Sequence, residues 1–169
     1  MKRIKLFIYF FFCSSFIQSQ DFTLDQIKSY PFPNELTGSS NTSRIAWAFD
    51  EQGKRNIYVA EGKDFIPRRL TSYMVDDGQE LSSVSISPDG KWVVYIRGGD
   101  FGSNWGDEDP VNPTFNPNLP KVQIWAVPFI GGNPILIGEG IDPVISSRSN
   151  IIAFVKSGQI WTAPIDGSF

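Results

Sequence analysis

Between Ser85 and Arg97 the chain reads SISPDGKWVVYIR: a short strand, a polar turn, then five β-branched or aromatic residues in succession, Trp92 to Ile96. A run that is apolar on both faces belongs inside stacked sheets. Ser87-Pro88-Asp89-Gly90 reads as a type I turn with a bulge, Pro88 setting φ near about −65° and Gly90 taking the left-handed position. Two weaker copies occur. Ser146 to Asn150 precedes Ile151-Ile152-Ala153-Phe154-Val155, and Ser39 to Ser43 precedes Arg44-Ile45-Ala46-Trp47-Ala48-Phe49. Aligned on the turn, Trp47, Tyr95 and Phe154 share one position, and Ala46, Val94 and Ala153 the one before.

Each copy is followed by a second strand that opens on an amide, then Ile, then an aromatic: Asn56-Ile57-Tyr58, Gln123-Ile124-Trp125 and Gln159-Ile160-Trp161. Three matching pairs favour an internal repeat over an ordinary β-sandwich. Asn34 to Thr37 is expected as the innermost strand of the first unit, with Asp50 to Gly53 as its hairpin turn. Pro67 to Leu70 fits an edge strand, where proline is tolerated. In the second unit Pro134 to Ile137 supplies the fourth strand after the Gly131-Gly132 turn. The third unit, Pro143 to Pro164, lacks one.

Four strands recurring every forty-odd residues, once an insertion at 98–120 is discounted, is the pattern of propeller blades. The expected fold class is therefore all-β: an incomplete β-propeller of about three four-stranded antiparallel blades, roughly 33–72, 80–138 and 141–169, the last incomplete. Propellers close with about 4–8 blades, so the chain reads as truncated. An open array leaves an apolar sheet face bare at each end, and the isolated chain is expected to oligomerise or aggregate. At the carboxy end that face is expected to carry alternate side chains of Ile151 to Val155 and Ile160 to Ala163, including Phe154 or Trp161.

Residues 1–20 are of another kind. Lys2, Arg3 and Lys5 precede the apolar run Leu6 to Cys13, and small polar residues follow, the layout of a secretory signal peptide. The run is shorter than the about 20 residues of a membrane span. An exported chain, periplasmic or extracellular, is implied, with no membrane contact after cleavage. Cys13 is the only cysteine, so the mature chain is expected to lack thiols, disulfides and thiolate metal sites. Residues 21–32 form an extended lead-in through Pro31 and Pro33, with one helical turn expected within Asp21 to Lys28. The net charge is −3 with no basic cluster after the start, which argues against nucleic-acid binding. Lys54, Arg55, Lys63, Arg68 and Arg69 read as solvated strand edges among carboxylates.

The strings PFPNEL, RIAWAFDEQGKRNIYVAE, RRLTSYMVDDGQELSSVSISPDGKWVVYIRGGD, NPN, QIWAVPFIGGNP and IWTAPIDG resemble the amino-terminal TolB-like propeller of secreted bacterial peptidases of the prolyl oligopeptidase family, over most of residues 22–168. The resemblance implies a propeller that gates peptide access to a carboxy-terminal α/β-hydrolase domain bearing a Ser-Asp-His triad. The chain itself has no histidine and no G-x-S-x-G elbow, so no catalytic residue carries over. On this reading the partners are the missing blades, the hydrolase domain and a peptide substrate. The alternative is an exported TolB-like propeller that binds a partner protein without enzymatic activity.

The remaining constellations are weak. Asp100, Asp107, Glu108 and Asp109 lie in a Gly/Pro/Asn/Asp-rich insertion, 98–120, whose spacing does not match a calcium loop. Trp105 and Phe115 in it would form a lip for peptides or pack on a further domain. Asp76-Asp77-Gly78 reads as an Asp-Gly turn before it reads as a carboxylate pair selecting cationic peptide ends. Asn41-Thr42-Ser43 fits a glycosylation sequon too common to weigh. Trp47, Trp92, Trp125 and Trp161 are expected as core or blade-to-blade packing. No catalytic, metal or cofactor residue is assigned.

Overall fold

The computed structural model describes residues 22–98 and 120–168. The insertion's carboxylates, Trp105, Phe115, Cys13 and the leader fall outside the described residues. Among the described residues the helix α1 (Leu24–Ser29) is followed by eleven strands: β1 (Phe32–Gly38), β2 (Arg44–Glu51), β3 (Lys54–Glu61), β4 (Arg68–Arg69), β5 (Leu81–Ile86), β6 (Trp92–Arg97), β7 (Gln123–Pro128), β8 (Ile135–Glu139), β9 (Ile141–Ile145), β10 (Ile151–Lys156) and β11 (Gln159–Pro164). They form three antiparallel sheets, β1-β2-β3-β4, β5-β6-β7-β8 and β9-β10-β11. This is the all-β, incomplete propeller the repeat predicts, its third sheet three strands wide.

The lead-in is partly helical. Thr23 caps α1 by accepting from the Gln26 N–H (3.1 Å), while the Gln26 side chain accepts from the Thr23 N–H (2.9 Å), a reciprocal capping box. Pro31 ends it, and the backbone is already extended in β1 from Phe32.

The repeat is exact in register. Trp47 pairs with Tyr58, Tyr95 with Trp125 and Phe154 with Trp161, so each unit crosses an aromatic pair at the same rung. Such pairs contribute roughly 0.2–1 kcal/mol each beyond alanine. The organising turn has the expected geometry: Gly90 (φ 72°) donates its N–H to Ser87 O at 2.8 Å, and Ser87 N–H donates to Trp92 O at 2.9 Å. Each innermost strand also carries a bulge, and at the equivalent position of each stands a non-glycine residue with left-handed backbone: Glu35 (φ 59°), Ser83 (φ 51°) and Asp142 (φ 53°). The Glu35 carboxylate accepts from the Val84 N–H of the next sheet at 3.2 Å.

The sheets stack in one sense. The side of sheet one bearing Ala46, Ala48, Ile57 and Val59 packs on the side of sheet two bearing Val93, Tyr95, Val127 and Phe129. The other side of sheet two, with Val94, Ile96, Ile124 and Ala126, packs on Ile152, Phe154, Ala163 and Ile165 of sheet three. The small-residue side is called the front and the aromatic side the back. Front meets back at both joints, in homologous positions.

The tryptophans divide accordingly. Trp125 packs against the first inter-sheet core and Trp92 against the second. Trp47 is buried within sheet one, stacked on Tyr58 (centroids 6.0 Å) and edge-on to Phe49 (5.6 Å), and belongs to no blade joint. Trp161 remains 50% exposed because no fourth strand flanks β11. Phe154 is likewise not on the bare face. It is buried toward sheet two, and the bare face at the carboxy end carries Val144, Ile151 and Ile160 instead.

Candidate functional site

Stacking three hairpin units in parallel collects their turns at two ends. At one end the β2–β3 turn meets the segment 71–80. Asn56, at the amide position that opens β3, is buried there. Its carbonyl accepts from the Tyr73 N–H (2.7 Å) and the Thr71 hydroxyl (3.1 Å), and its amide donates to Tyr73 O (3.0 Å). The Thr71 hydroxyl in turn accepts from the Ile57 N–H at 2.9 Å. One side chain therefore pins the chain entering the acidic turn.

Four carboxylates gather around two guanidinium groups at this end. Arg55 reaches Glu80 (3.0 Å), Asp50 (3.3 Å) and Asp76 (3.6 Å), and Arg97 pairs with Asp77. Arg97 also lies over the Tyr73 ring at 4.4 Å, and the hydroxyls of Tyr73 and Tyr95 share a hydrogen bond of 2.8 Å. Burial raises both phenols above the ordinary tyrosine range. Asp76 accepts from Gly78 N–H (3.2 Å) and Asp77 from Gln79 N–H (3.1 Å), the turn chemistry expected of Asp-Asp-Gly. The arrangement is a clamped acidic rim. Its carboxylates can meet a cationic peptide end only by sharing it with arginine, and Asp76, the most exposed of them, is best placed to do so.

Arg68 is exposed on the edge strand β4, as the composition suggested, whereas Arg55 is not a solvated edge. Arg55 is mostly covered by its carboxylates, and Arg68 donates to Phe129 O and lies with Arg44 against the Phe129 ring. Apart from Asp50, which faces Arg55 across the β2–β3 hairpin, spacing along the chain gave no sign of these partners, because they lie beyond the first sheet.

At the opposite end the turns 39–43, 87–91 and 146–150 surround a polar groove of about 230 Å³, lined by Asn41, Ser87, Asp89, Ser146, Arg148 and Asn150 among others. Ser39 donates to Pro88 O (3.1 Å) and Arg44 to Gly90 O (2.8 Å), which locks the first two turns together. Arg148 makes no ion pair among the described residues. The groove offers hydroxyls, amides, one guanidinium and the Asp89 carboxylate. Neither end holds a nucleophile beside an imidazole base, since the chain has no histidine. Among the described residues no group of three or more His, Cys, Asp or Glu side chains is arranged to hold a metal ion.

No family model and no curated protein matches the chain. A solved structure does. It is a chain from a structural and mechanistic study of two prolyl endopeptidases, with a TM-score of 0.50 at 13% identity over 77% of this chain. The likeness is one of fold. This chain spans 18% of that chain's length.

Proposed function

We propose that this chain is the non-catalytic propeller portion of an exported serine peptidase of the prolyl oligopeptidase type, in which the stacked sheets govern the access of peptides to a hydrolase domain. The observation that carries the reading is the exact three-fold repeat of the SPDG-type hairpin. It is supported by the fold shared with a prolyl endopeptidase, an enzyme studied for the role of inter-domain dynamics in catalysis and specificity. The polar groove and the clamped acidic rim give the two ends different chemistry, as a filter between solvent and an enzyme interior requires. The signal-like leader places the protein outside the cytoplasm on this reading.

A second reading, a non-enzymatic exported propeller that binds a partner protein, draws on the missing histidine: the chain by itself has no base for acyl transfer. Sequencing the transcript across codon 169 separates the two. Read-through into a G-x-S-x-G elbow followed by Asp and then His is expected. A stop codon directly after Phe169 would overturn the peptidase reading and leave the binding one.

A further inference from the structure

At the end opposite the acidic rim the three turns repeat one geometry. In each, the leading serine closes its turn on the first residue of the next strand: Ser39 N–H donates to Arg44 O, Ser87 N–H to Trp92 O and Ser146 N–H to Ile151 O, each at 2.9 Å. Between turns one and two the space is filled from within. The Ser39 hydroxyl crosses to Pro88 O, and Arg44 lies over the Phe129 ring (4.4 Å), donating to Gly90 O and to Glu61 at 2.8 Å each. Between turns two and three neither link is made among the described residues. The Ser87 hydroxyl stays in its own turn, donating to Asp89 (2.7 Å) and accepting from the Trp92 N–H (2.9 Å). Trp92, in the place of Arg44, packs against the second apolar core. The groove of about 230 Å³ is the space this leaves.

The open copy also has the opposite polarity. Ile165 stands where the Phe129 ring stands, Pro128 where Glu61 stands, and Arg148 where Asp89 stands. The ring and the carboxylate that hold the Arg44 cation are gone, and a cation without an ion pair lines the groove instead. The Ser146 hydroxyl accepts from the N–H groups of Arg148 (3.3 Å) and Ser149 (3.2 Å) and shares a hydrogen bond with Ser149 Oγ (2.8 Å). One hydroxyl proton of that pair is left to donate, and Asn41 and Asn150 add amide donors. We propose that this groove binds a carboxylate, the free carboxy end or an acidic side chain of a peptide, with Arg148 as its counter-ion. Asp89 is already tied to Ser87 and, at 3.1 Å each, to the Lys91 N–H and Nζ. Its charge beside the groove favours a ligand with one negative charge over a doubly charged phosphate. The volume lies below the roughly 300–1,000 Å³ of sites that enclose a drug-sized ligand, so one terminal group or side chain enters and the rest of the peptide stays outside. That the carrier is a peptide rests on the proposed role in peptide access; the polarity of the groove does not.

Three short acetylated peptides of otherwise identical sequence test the site: one with a free carboxy end, one amidated, and one amidated but carrying a single glutamate. Each is titrated into the isotope-labelled full chain, and the NMR shifts of the Ser146 to Asn150 amides are followed. The free-acid peptide, the glutamate peptide or both should move these amides, the two arms showing which carboxylate enters, and the neutral peptide should not. Arg148→Gln, a change at an exposed side chain, should weaken binding about tenfold, the loss expected for one hydrogen bond to a charged group. Arg148→Lys should restore part of it, as a point charge in place of a fork. Equal shifts from the neutral peptide, no shift from either acidic one, or unchanged affinity in Arg148→Gln would each overturn the site. Inorganic phosphate binding more tightly than the acidic peptides would overturn the choice of a carboxylate, and acetate binding as tightly would overturn the peptide as its carrier. None of these results depends on a hydrolase domain being encoded beyond codon 169, which the transcript alone decides.

Discussion

Replacing Asn56 by alanine tests whether one buried amide fixes the acidic rim. The side chain makes three hydrogen bonds, two accepted and one donated, all to residues of the segment after β4. The Thr71 hydroxyl still accepts from the Ile57 N–H, although its own O–H loses the Asn56 acceptor. Tyr73 N–H and C=O lose theirs, each at a cost of about 1–3 kcal/mol if water cannot reach them. Tyr73 is only partly buried, so the lower half of that range applies to each group, and the sum is about 2–4 kcal/mol. Against a net stability of about 5–15 kcal/mol this is a large fraction. For a chain of this size it corresponds to a fall in Tm of roughly 5–15 °C. Urea unfolding of Asn56→Ala beside wild type gives the value directly, and hydrogen exchange gives its location. The Tyr73 and Ile57 amides should lose protection ahead of the amides of β6. A change below about 0.5 kcal/mol, the size of an ordinary surface substitution, would refute the assignment of Asn56 as the anchor.

The Gly90 turn supplies a paired test: a Cβ there meets Thr42 Oγ1 at 2.6 Å and Arg44 Cδ at 2.9 Å on top of φ 72°, whereas at Gly62 (φ 79°) nothing lies within 4 Å. Gly62→Ala should cost about 1–2 kcal/mol from backbone alone, and Gly90→Ala clearly more in the same denaturation experiment; equal costs would mean that the turns are not packed together. The Ser87 hydroxyl, donating to Asp89 at 2.7 Å, holds that carboxyl below its ordinary value. This stabilisation is full above about pH 4, where the unfolded carboxyl is ionised, and is lost as pH falls through the lower folded value. Ser87→Ala should therefore move the Asp89 titration, monitored by NMR, upward, and an unmoved curve would contradict the cause given. Finally, the chain alone should not turn over chromogenic prolyl substrates, and activity that co-purifies with it and resists a serine-directed inhibitor would demand chemistry outside the triad.

Much of the fold was legible because a propeller repeats its local instructions. A polar turn and the Asn/Gln-Ile-aromatic opening of each third strand recur in the same order in all three units, so the strands and their neighbours could be read from alignment even though the spacing between them varies. What stayed hidden was everything that depends on the neighbouring sheet. The amide of Asn56 was visible as a repeated position, but not that it binds Tyr73. Arg55 looked like a solvent-facing charge because two of its three carboxylates, Asp76 and Glu80, lie beyond its own unit, and nothing showed that the exposed Arg68 would reach the Phe129 carbonyl and ring of the next. The direction of Phe154 was ambiguous, since alternation says that two faces exist and not which of them a neighbour covers. The left-handed bulge residues Glu35, Ser83 and Asp142 carried no signal either, being ordinary polar residues without glycine's mark.

Both joints between sheets have an apolar core, but the first adds polar links to it, and that gives the array a preferred way of coming apart. The first is laced with polar links: Glu35 to the Val84 amide, Arg44 to Gly90, Arg68 to Phe129, and Arg55 to Glu80. The second is an apolar seam around Ile96, Ile124, Ile152 and Phe154, and Pro143, standing where Val84 stands, has no N–H for a carboxylate to hold. Raising the ionic strength should therefore weaken the links of the first joint and leave the second nearly untouched, while cooling weakens the apolar core of both and leaves the first its polar links. Pulled from its ends in single-molecule force spectroscopy, the molecule should part first at the second seam in the cold, and added salt should narrow the difference between the two.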